Sequence, residues 1–263
     1  MKKDLKYILW EIKDDLCTLH LNRPSSRNAL NLELIEELLT VFDDIENNLK
    51  IRFVVISAMG DAFCSGADLE WMTSAIDLSY EENRRESAKL AELFYRLCTL
   101  RKITIAKVFG ACIGGGVGLA AACDIVIGST DTYFKFSEVK LGLIPSTIAP
   151  YIINRTGLQR CKYYVLTSER IDPVKANEMN LIDILASPEK IDNELEELIS
   201  TLRSGGIKAQ DEIKKLFSKF QMHLFPKNYK TDTADIIASL RISSEGKEGI
   251  RAFLEKREPE WKR

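Results

Sequence analysis

Two glycine-containing turns and one carboxylate carry the chemistry this sequence offers. Gly114-Gly115-Gly116 comes soon after the apolar run Ile103 to Val108 and opens a helical pattern. Glycines at a helix N-terminus expose unpaired backbone N–H groups, and the helix dipole adds positive potential there. Such a place binds an anion or a developing oxyanion. Ser65-Gly66-Ala67-Asp68 is the second turn, where Gly66 can take a positive φ and aim the Ala67 N–H at a ligand. Each turn follows a buried-strand pattern, so together they suggest two donors meeting over one carbonyl oxygen. Glu138, ahead of the turn Gly142-Leu143-Ile144-Pro145, can shuttle a proton to or from carbon or water if an apolar pocket holds it.

Other readings of these residues fit less well. A GxGxxG from Gly114 needs glycine at Leu119, and no GK[ST] follows; a relaxed GxGxxA spans Gly116 to Ala121. Close helix packing is the plain alternative for the glycine cluster, and a solvated surface charge is the plain alternative for a lone glutamate. Ser65 lacks a GxSxG frame, because Phe63 and Ala67 stand where glycines belong. Only two histidines exist, His20 and His223, far apart in the chain, so neither a zinc site nor a Ser-His-Asp triad is expected. His20 reads as a satisfied residue of an alternating strand. The six cysteines form no CxxC pair and read as buried reduced thiols.

The elements that must position these groups follow from periodicity. Tyr7 to Glu11 and Leu16 to Leu21 read as a hairpin through Lys13-Asp14-Asp15. Asn31 is an N-cap for an amphipathic helix from Leu32 to Leu49. Phe53 to Ser57 is an unbroken apolar run, the mark of a strand covered on both faces. Gly60 to Asp68 reads as a loop, and Met72 to Tyr80, after a packed Trp71, as a mobile loop that lines an acyl pocket. Glu81 to Leu100 is helical, Ile103 to Val108 a strand, Gly115 to Ala122 a short buried helix, and Asp124 to Ile127 a strand. That alternation implies an α/β fold with a largely parallel sheet. After Pro145 helices dominate, at Ile148 to Thr156, Gln159 to Leu166, Val174 to Glu178, Ile191 to Leu202, Ala209 to Phe220, Thr231 to Leu240 and Glu245 to Lys256. A last strand falls at Leu181 to Leu185.

The 263 residues hold 37 Lys and Arg against 39 Asp and Glu, a net charge of −2, so no global charge attracts nucleic acid or an anionic membrane. No apolar run approaches a membrane span. The N-terminal segment does not read as a signal peptide, and a cytoplasmic location is expected.

The order NRPSSRNALN, FCSGADL, GGGVGLAAACD, SEVKLGLIP and FLEKREPEW resembles the crotonase family of enoyl-CoA hydratases and isomerases, over essentially the whole chain. The resemblance implies a crotonase fold: a spiral core of β-β-α repeats over residues 1–200 and a helical trimerisation region over 201–263. It implies oxyanion donors at the Ala67 and Gly115 N–H groups and a catalytic Glu138. It places coenzyme A contacts at Arg27, Asn28, Ala29 and Leu30 and at Ser65, Asp68 and Leu69. Phe253 and Lys256 would close over the nucleotide end from a neighbouring subunit. No permanently bound cofactor and no metal are expected, coenzyme A arriving as part of the thioester substrate. A homotrimer, or a dimer of trimers, is the implied assembly.

One departure from the family pattern matters. Two-glutamate hydratases carry a second carboxylate where this chain has Gly118. Three explanations compete: a hydratase using Glu138 alone or recruiting another group, a double-bond isomerase, or a non-catalytic acyl-CoA binder. The motifs FCSGADLEWM, GGGVGLAAACD and SEVKLGLIPSTIAPYI resemble a bacterial subgroup of methylglutaconyl-CoA hydratases of leucine breakdown, which shares that glycine. Arg84 and Arg85, at the opening of the following helix, read as solvated charges, as arginines mostly are, with a distal substrate carboxylate as the alternative partner.

Overall fold

A computed structural model describes residues 5–224 and 228–262. Strands β1 (Ile8–Lys13) and β2 (Leu16–Leu21) form an antiparallel hairpin turned at Asp14, which takes a left-handed φ of 56°. Helix α1 (Leu32–Asn47) starts at Asn31, whose side chain accepts the Leu34 N–H, and buries Leu34, Ile35, Leu38, Val41, Phe42 and Ile45. Strand β3 (Phe53–Ala58) is buried at every position. Val54 and Ile56 join the main core on one face of the sheet, Phe53 and Val55 a second core on the other.

The chain then repeats one unit. β3 leads to Cys64, which bridges Cys112, and on to α2 (Leu69–Ala75) and α3 (Tyr80–Thr99). β4 (Ile103–Val108) leads to β5 (Ala111–Ile113) and α4 (Gly115–Ala122). β6 (Ile125–Ser129) leads to β7 (Tyr133–Lys135), a 3-10 turn at Glu138–Leu141 and α5 (Ala149–Thr156). Each unit places a long strand in the main sheet, a short one in a side sheet and then a helix, which is a β-β-α spiral. The main sheet has the order β1-β2-β3-β4-β6-β8 and β5-β7 is the side sheet. Every pairing except the first hairpin is parallel.

Helices α6 (Leu158–Thr167) and α7 (Pro173–Glu178), strand β8 (Ile184–Ala186), and helices α8 (Ile191–Arg203), α9 (Ile207–Leu224), α10 (Tyr229–Ile242) and α11 (Ser244–Leu254) complete the chain. α8 lays Ile191 and Ile199 on the second core, and it runs through the expected division at residues 200 and 201. α10 packs along α3 through the Arg84–Asp235 and Lys230–Glu92 ion pairs and the Tyr95 and Tyr229 rings. α11 packs on the 3-10 turn and on α2 of the same chain. The approach is so close that a Cβ on Gly249 would overlap the Leu141 backbone.

Two sequence expectations need correction, at Met72 to Ala75 and at His20, and two short strands went unread. Met72 to Ala75 is helix rather than loop, because the Asp68 carboxylate caps α2 and Met72, Ala75 and Ile76 are buried. β5 and β7 carry three residues each, too few to show an alternation. His20 is not satisfied: its Nδ1 is buried without a partner, and burial beside Lys107 depresses its pKa. Cys17, Cys64, Cys112, Cys123 and Cys161 are free and buried, and burial pushes the Cys17, Cys64 and Cys123 thiols up to about 12. His223 lies outside the residues whose side chains are described. Among the described residues no helix is long and apolar enough to cross a membrane.

Candidate active site

The first turn leaves β3 through the buried Phe63 and Cys64 and swings at Gly66, whose φ is 99°. A side chain at Gly66 would meet the Ile113 carbonyl at 3.2 Å as well as straining the backbone. Leu30 braces this turn: its N–H donates to the Gly66 carbonyl (2.7 Å) and its carbonyl accepts the Asp68 N–H (2.9 Å). Successive N–H groups of an extended segment point to opposite sides, so the Ala67 N–H is turned away from Leu30. Asp68 then caps α2 through the Glu70 and Trp71 N–H groups, and its other oxygen pairs with Arg23 at 2.9 Å, both side chains nearly buried.

The second turn follows β5. Gly114 sits at φ 49° and ψ −114°, a conformation closed to residues with a Cβ, and its N–H is anchored on the Lys135 carbonyl. Gly115 is the first residue of α4, where no carbonyl four residues back is in helical place. Among the described residues neither the Ala67 nor the Gly115 N–H has a backbone acceptor. The glycines also permit close approach. A Cβ on Gly115 would lie 2.7 Å from Leu30 Cδ1, and one on Gly116 would lie 2.5 Å from the Cys64 carbonyl oxygen. Packing and exposed donors are therefore both reasons for the cluster. Leu30 touches both turns, one through its backbone and the other through its side chain.

Glu138 stands on the 3-10 turn against this junction. A Cβ placed on Gly114 would be 2.9 Å from Glu138 Oε1 and 3.8 Å from the Gly66 Cα, so the carboxylate adjoins the second turn where that turn approaches the first. Its Oε2 is buried with no hydrogen-bond partner. Burial raises its pKa to about 7, against a smaller pull downward from the Glu138 and Ser137 backbone amides. The turn is fixed by Gly142 at φ 65° and by the Leu143 N–H on the Glu138 carbonyl (3.0 Å).

Gly118 is one turn into α4. A Cβ there would overlap Ile148 and come within 2.9 Å of Phe94 Cε1. The place of a second carboxylate is thus filled by apolar side chains and closed to water.

The remaining candidates divide into rim and frame. Arg27 is exposed with a left-handed φ of 49°, and Leu69 is exposed; both lie at the rim beside half-buried Ser65. Ser65 Oγ donates to the Ser26 carbonyl. Asn28 is fully buried and spends its side chain on the Met59 and Ala62 carbonyls and the Arg23 N–H. The Ala29 carbonyl accepts from the Arg23 guanidinium. The side chains of Asn28 and Asp68 hold the frame, and so do their backbone N–H groups, which donate to the Arg23 and Leu30 carbonyls. Phe253 and Lys256, at the end of α11, are exposed, and no described contact joins them to Arg27–Leu30 or Ser65–Leu69 of the same chain. Arg84 faces Asp235 rather than the site.

An apolar wall closes the site. Met72 and Ile76 from α2, Leu141 and Leu143 after Glu138, and Ile237 and Ile250 from α10 and α11 cluster with Ala67. Sequence reasoning missed Arg241 beside this wall. It occupies a core position of α10, at helical spacing from Ala234, Ile237 and Ala238, and that spacing was the available signal. A separate cleft of about 880 Å³, lined by Ala122, Tyr151, Ile213 and Phe217, contains none of the site residues.

The chain is similar to known proteins along nearly its whole length. The family described as enoyl-CoA hydratase/isomerase matches residues 11–263. A Thermus thermophilus protein named provisionally as an enoyl-CoA hydratase is 32% identical over 247 residues, 94% of this chain and 97% of its own. A trans-2-decenoyl-[acyl-carrier-protein] isomerase of Streptococcus mutans is 28% identical over 98% of both chains. The crystal structure of an enoyl-CoA hydratase from Shewanella pealeana superposes with a TM-score of 0.81 at 33% identity, covering 98% of this chain and 97% of that one.

Proposed function

The chain belongs to the enoyl-CoA hydratase/isomerase family, and on that premise we propose that it is a one-carboxylate hydratase whose substrate is 3-methylglutaconyl-CoA, hydrated reversibly to 3-hydroxy-3-methylglutaryl-CoA. The observation that carries this reading is Glu138, with one oxygen against the junction of the two turns and the other buried without a partner. The Ala67 and Gly115 N–H groups bind the thioester oxygen and hold the charge that develops on it. Losing one such donor costs about 2.7–4 kcal/mol of transition-state stabilisation.

With Gly118 in place of a second carboxylate, Glu138 acts with both oxygens. Protonated, it gives its proton to the α-carbon while its other oxygen takes a proton from the water that adds to the β-carbon. Water is consumed across the double bond, and the carboxylic acid is regenerated. Coenzyme A lies along the rim at Arg27–Leu30, Ser65, Asp68 and Leu69. Phe253 and Lys256 of a neighbouring copy cover its nucleotide in a homotrimer or a dimer of trimers, a role their exposure supports.

A second reading, a double-bond isomerase, is favoured by the filled space at Gly118 and by the name of the Streptococcus mutans relative. The two readings need Glu138 in opposite states. Hydration by one carboxyl group starts from the acid, whereas isomerisation starts from the carboxylate that removes a carbon-bound proton. With the Glu138 pKa at about 7, kcat/KM for hydration falls above pH 7 and for isomerisation rises through it. The test is loss of the conjugated enoyl-thioester absorbance across pH, with 3-methylglutaconyl-CoA and crotonyl-CoA side by side. Faster loss with the former and a falling alkaline limb are expected. No loss with either thioester would overturn the hydratase reading.

A further inference from the structure

Arg241 is 7% exposed, and its Nη1 is buried without a hydrogen-bond partner. Among the described residues it forms no ion pair. Its guanidinium lies 4.9 Å from the centroid of the Trp71 ring, in the field of the Glu86 carboxylate. Glu86 is already engaged, accepting the Trp71 indole N–H at 2.7 Å. Burial pulls the arginine pKa down to about 10, against the attraction of Glu86, so the group is still a cation at neutral pH. A buried cation left short of partners is costly, and proteins retain one where an anion completes it. The planar guanidinium suits a carboxylate, to which it can donate two parallel hydrogen bonds.

The place of this cation follows from the site. Ala67 is two residues before α2, and Trp71 lies on the first turn of that helix. Two extended steps of ~3.3 Å and two helical steps of ~1.5 Å put Trp71 within ~10 Å of Ala67 along the chain. A five-carbon acyl chain, with four carbon–carbon bonds of ~1.5 Å each, covers ~6 Å of this, and the arginine side chain reaches in from the other end. Leu240, next to Arg241, packs on the apolar wall that contains Ala67, Met72 and Leu141. Ala67 packs against both the cluster that holds Trp71 and the wall that holds Met72, and Arg241 of α10 stacks on Trp71, so a thioester carbonyl held at the Ala67 N–H has this cation among its neighbours on the α2 side.

We infer that Arg241, stacked on Trp71, is the specificity group of the acyl subsite and takes the distal carboxylate of a dicarboxylic acyl thioester. The inference rests on the acyl-CoA reading but not on the reaction, so its test uses saturated thioesters that cannot be hydrated or isomerised. Binding of glutaryl-CoA and valeryl-CoA, equal in chain length and differing in the terminal carboxylate, is measured by calorimetry. The intact protein should prefer glutaryl-CoA by about 10- to 100-fold, the range of a charge-assisted hydrogen-bonded pair. Arg241→Met should erase the preference and leave valeryl-CoA binding within about 2-fold. Arg241→Lys, which keeps the charge in the packed core, should retain part of it and serves if the methionine variant does not fold. Equal binding of the two thioesters by the intact protein would overturn the inference while leaving the hydratase reading to its own assay. Equal weakening of both in Arg241→Met would also overturn it. Failure of both thioesters to bind the intact protein would overturn the acyl-CoA reading, and this inference with it.

Discussion

The floor of the site and its wall are built by different means. The floor is backbone: Gly66, Gly114 and Gly115 set the positions of two N–H groups, and Leu30, Asp68 and Lys135 tie the turns down with hydrogen bonds. The wall is side chain: Met72, Ile76, Ile237 and Ile250 from three helices, with a partly unpaired Arg241 at its end. Under the proposed function, backbone donors held by the fold serve any thioester, so the floor would determine which bond reacts. Side chains contributed by α2, α10 and α11 change without disturbing the sheet, so the wall determines which acyl group reacts. Glu138 stands between them, on a turn braced from below by Gly142 and from above by Gly249 of α11.

The sharpest test of this division is Glu138→Gln. Turnover should fall by about 10²–10⁴-fold, as expected for loss of a general acid. Stability should move the other way. With its folded pKa raised from 4.5 to about 7, Glu138 holds its proton in the folded protein after the unfolded chain has released it. The intact protein therefore loses stability as pH rises from about 4.5 to 7, by up to about 3 kcal/mol. Thermal unfolding at pH 5 and pH 8 should show the glutamine variant gaining most at pH 8. A variant with near-normal turnover would remove Glu138 from the chemistry.

Gly118→Glu tests whether the floor can accept the missing carboxylate. Its side chain would overlap Ile148 and Phe94 in a buried helix, so the variant should lose about 3 kcal/mol or more to overpacking and an unpaired buried charge, without a gain in hydration. Faster hydration in a stable variant would mean that the space is not closed. Lys256→Ala should give the smallest change, a few-fold weaker CoA-thioester binding with kcat retained, as for loss of an exposed ion pair. A loss confined to kcat would place Lys256 in the chemical step.

Much of the floor was legible in sequence because its constraints are local. A glycine run beside an apolar helix gave Gly115 to Ala122 with both ends as observed, and Asn31 gave the start of α1. The wall was less legible. α2 is seven residues long and its cap, Asp68, lies inside a motif that reads as a turn, so Met72 to Ala75 resembled loop. Sequence also showed that Gly118 lacks a carboxylate, but not that Ile148 and Phe94, 30 and 24 residues away, occupy the space. Arg241 carried a weak signal, a cation at a core-facing position of an amphipathic helix, and its meaning came only when α10 was placed beside α2.

Leu30 has a consequence beyond its own packing. Its backbone fixes the height of one donor and its δ-methyl abuts the residue that bears the other. One residue thus acts as the gauge for the opening between two donors that are 48 positions apart in the chain, Ala67 and Gly115. Drift at that position cannot retune one donor alone. It rescales the whole aperture, so in the proposed reaction the fit of an oxyanion would depend on a single aliphatic side chain that never has to touch the reacting atoms.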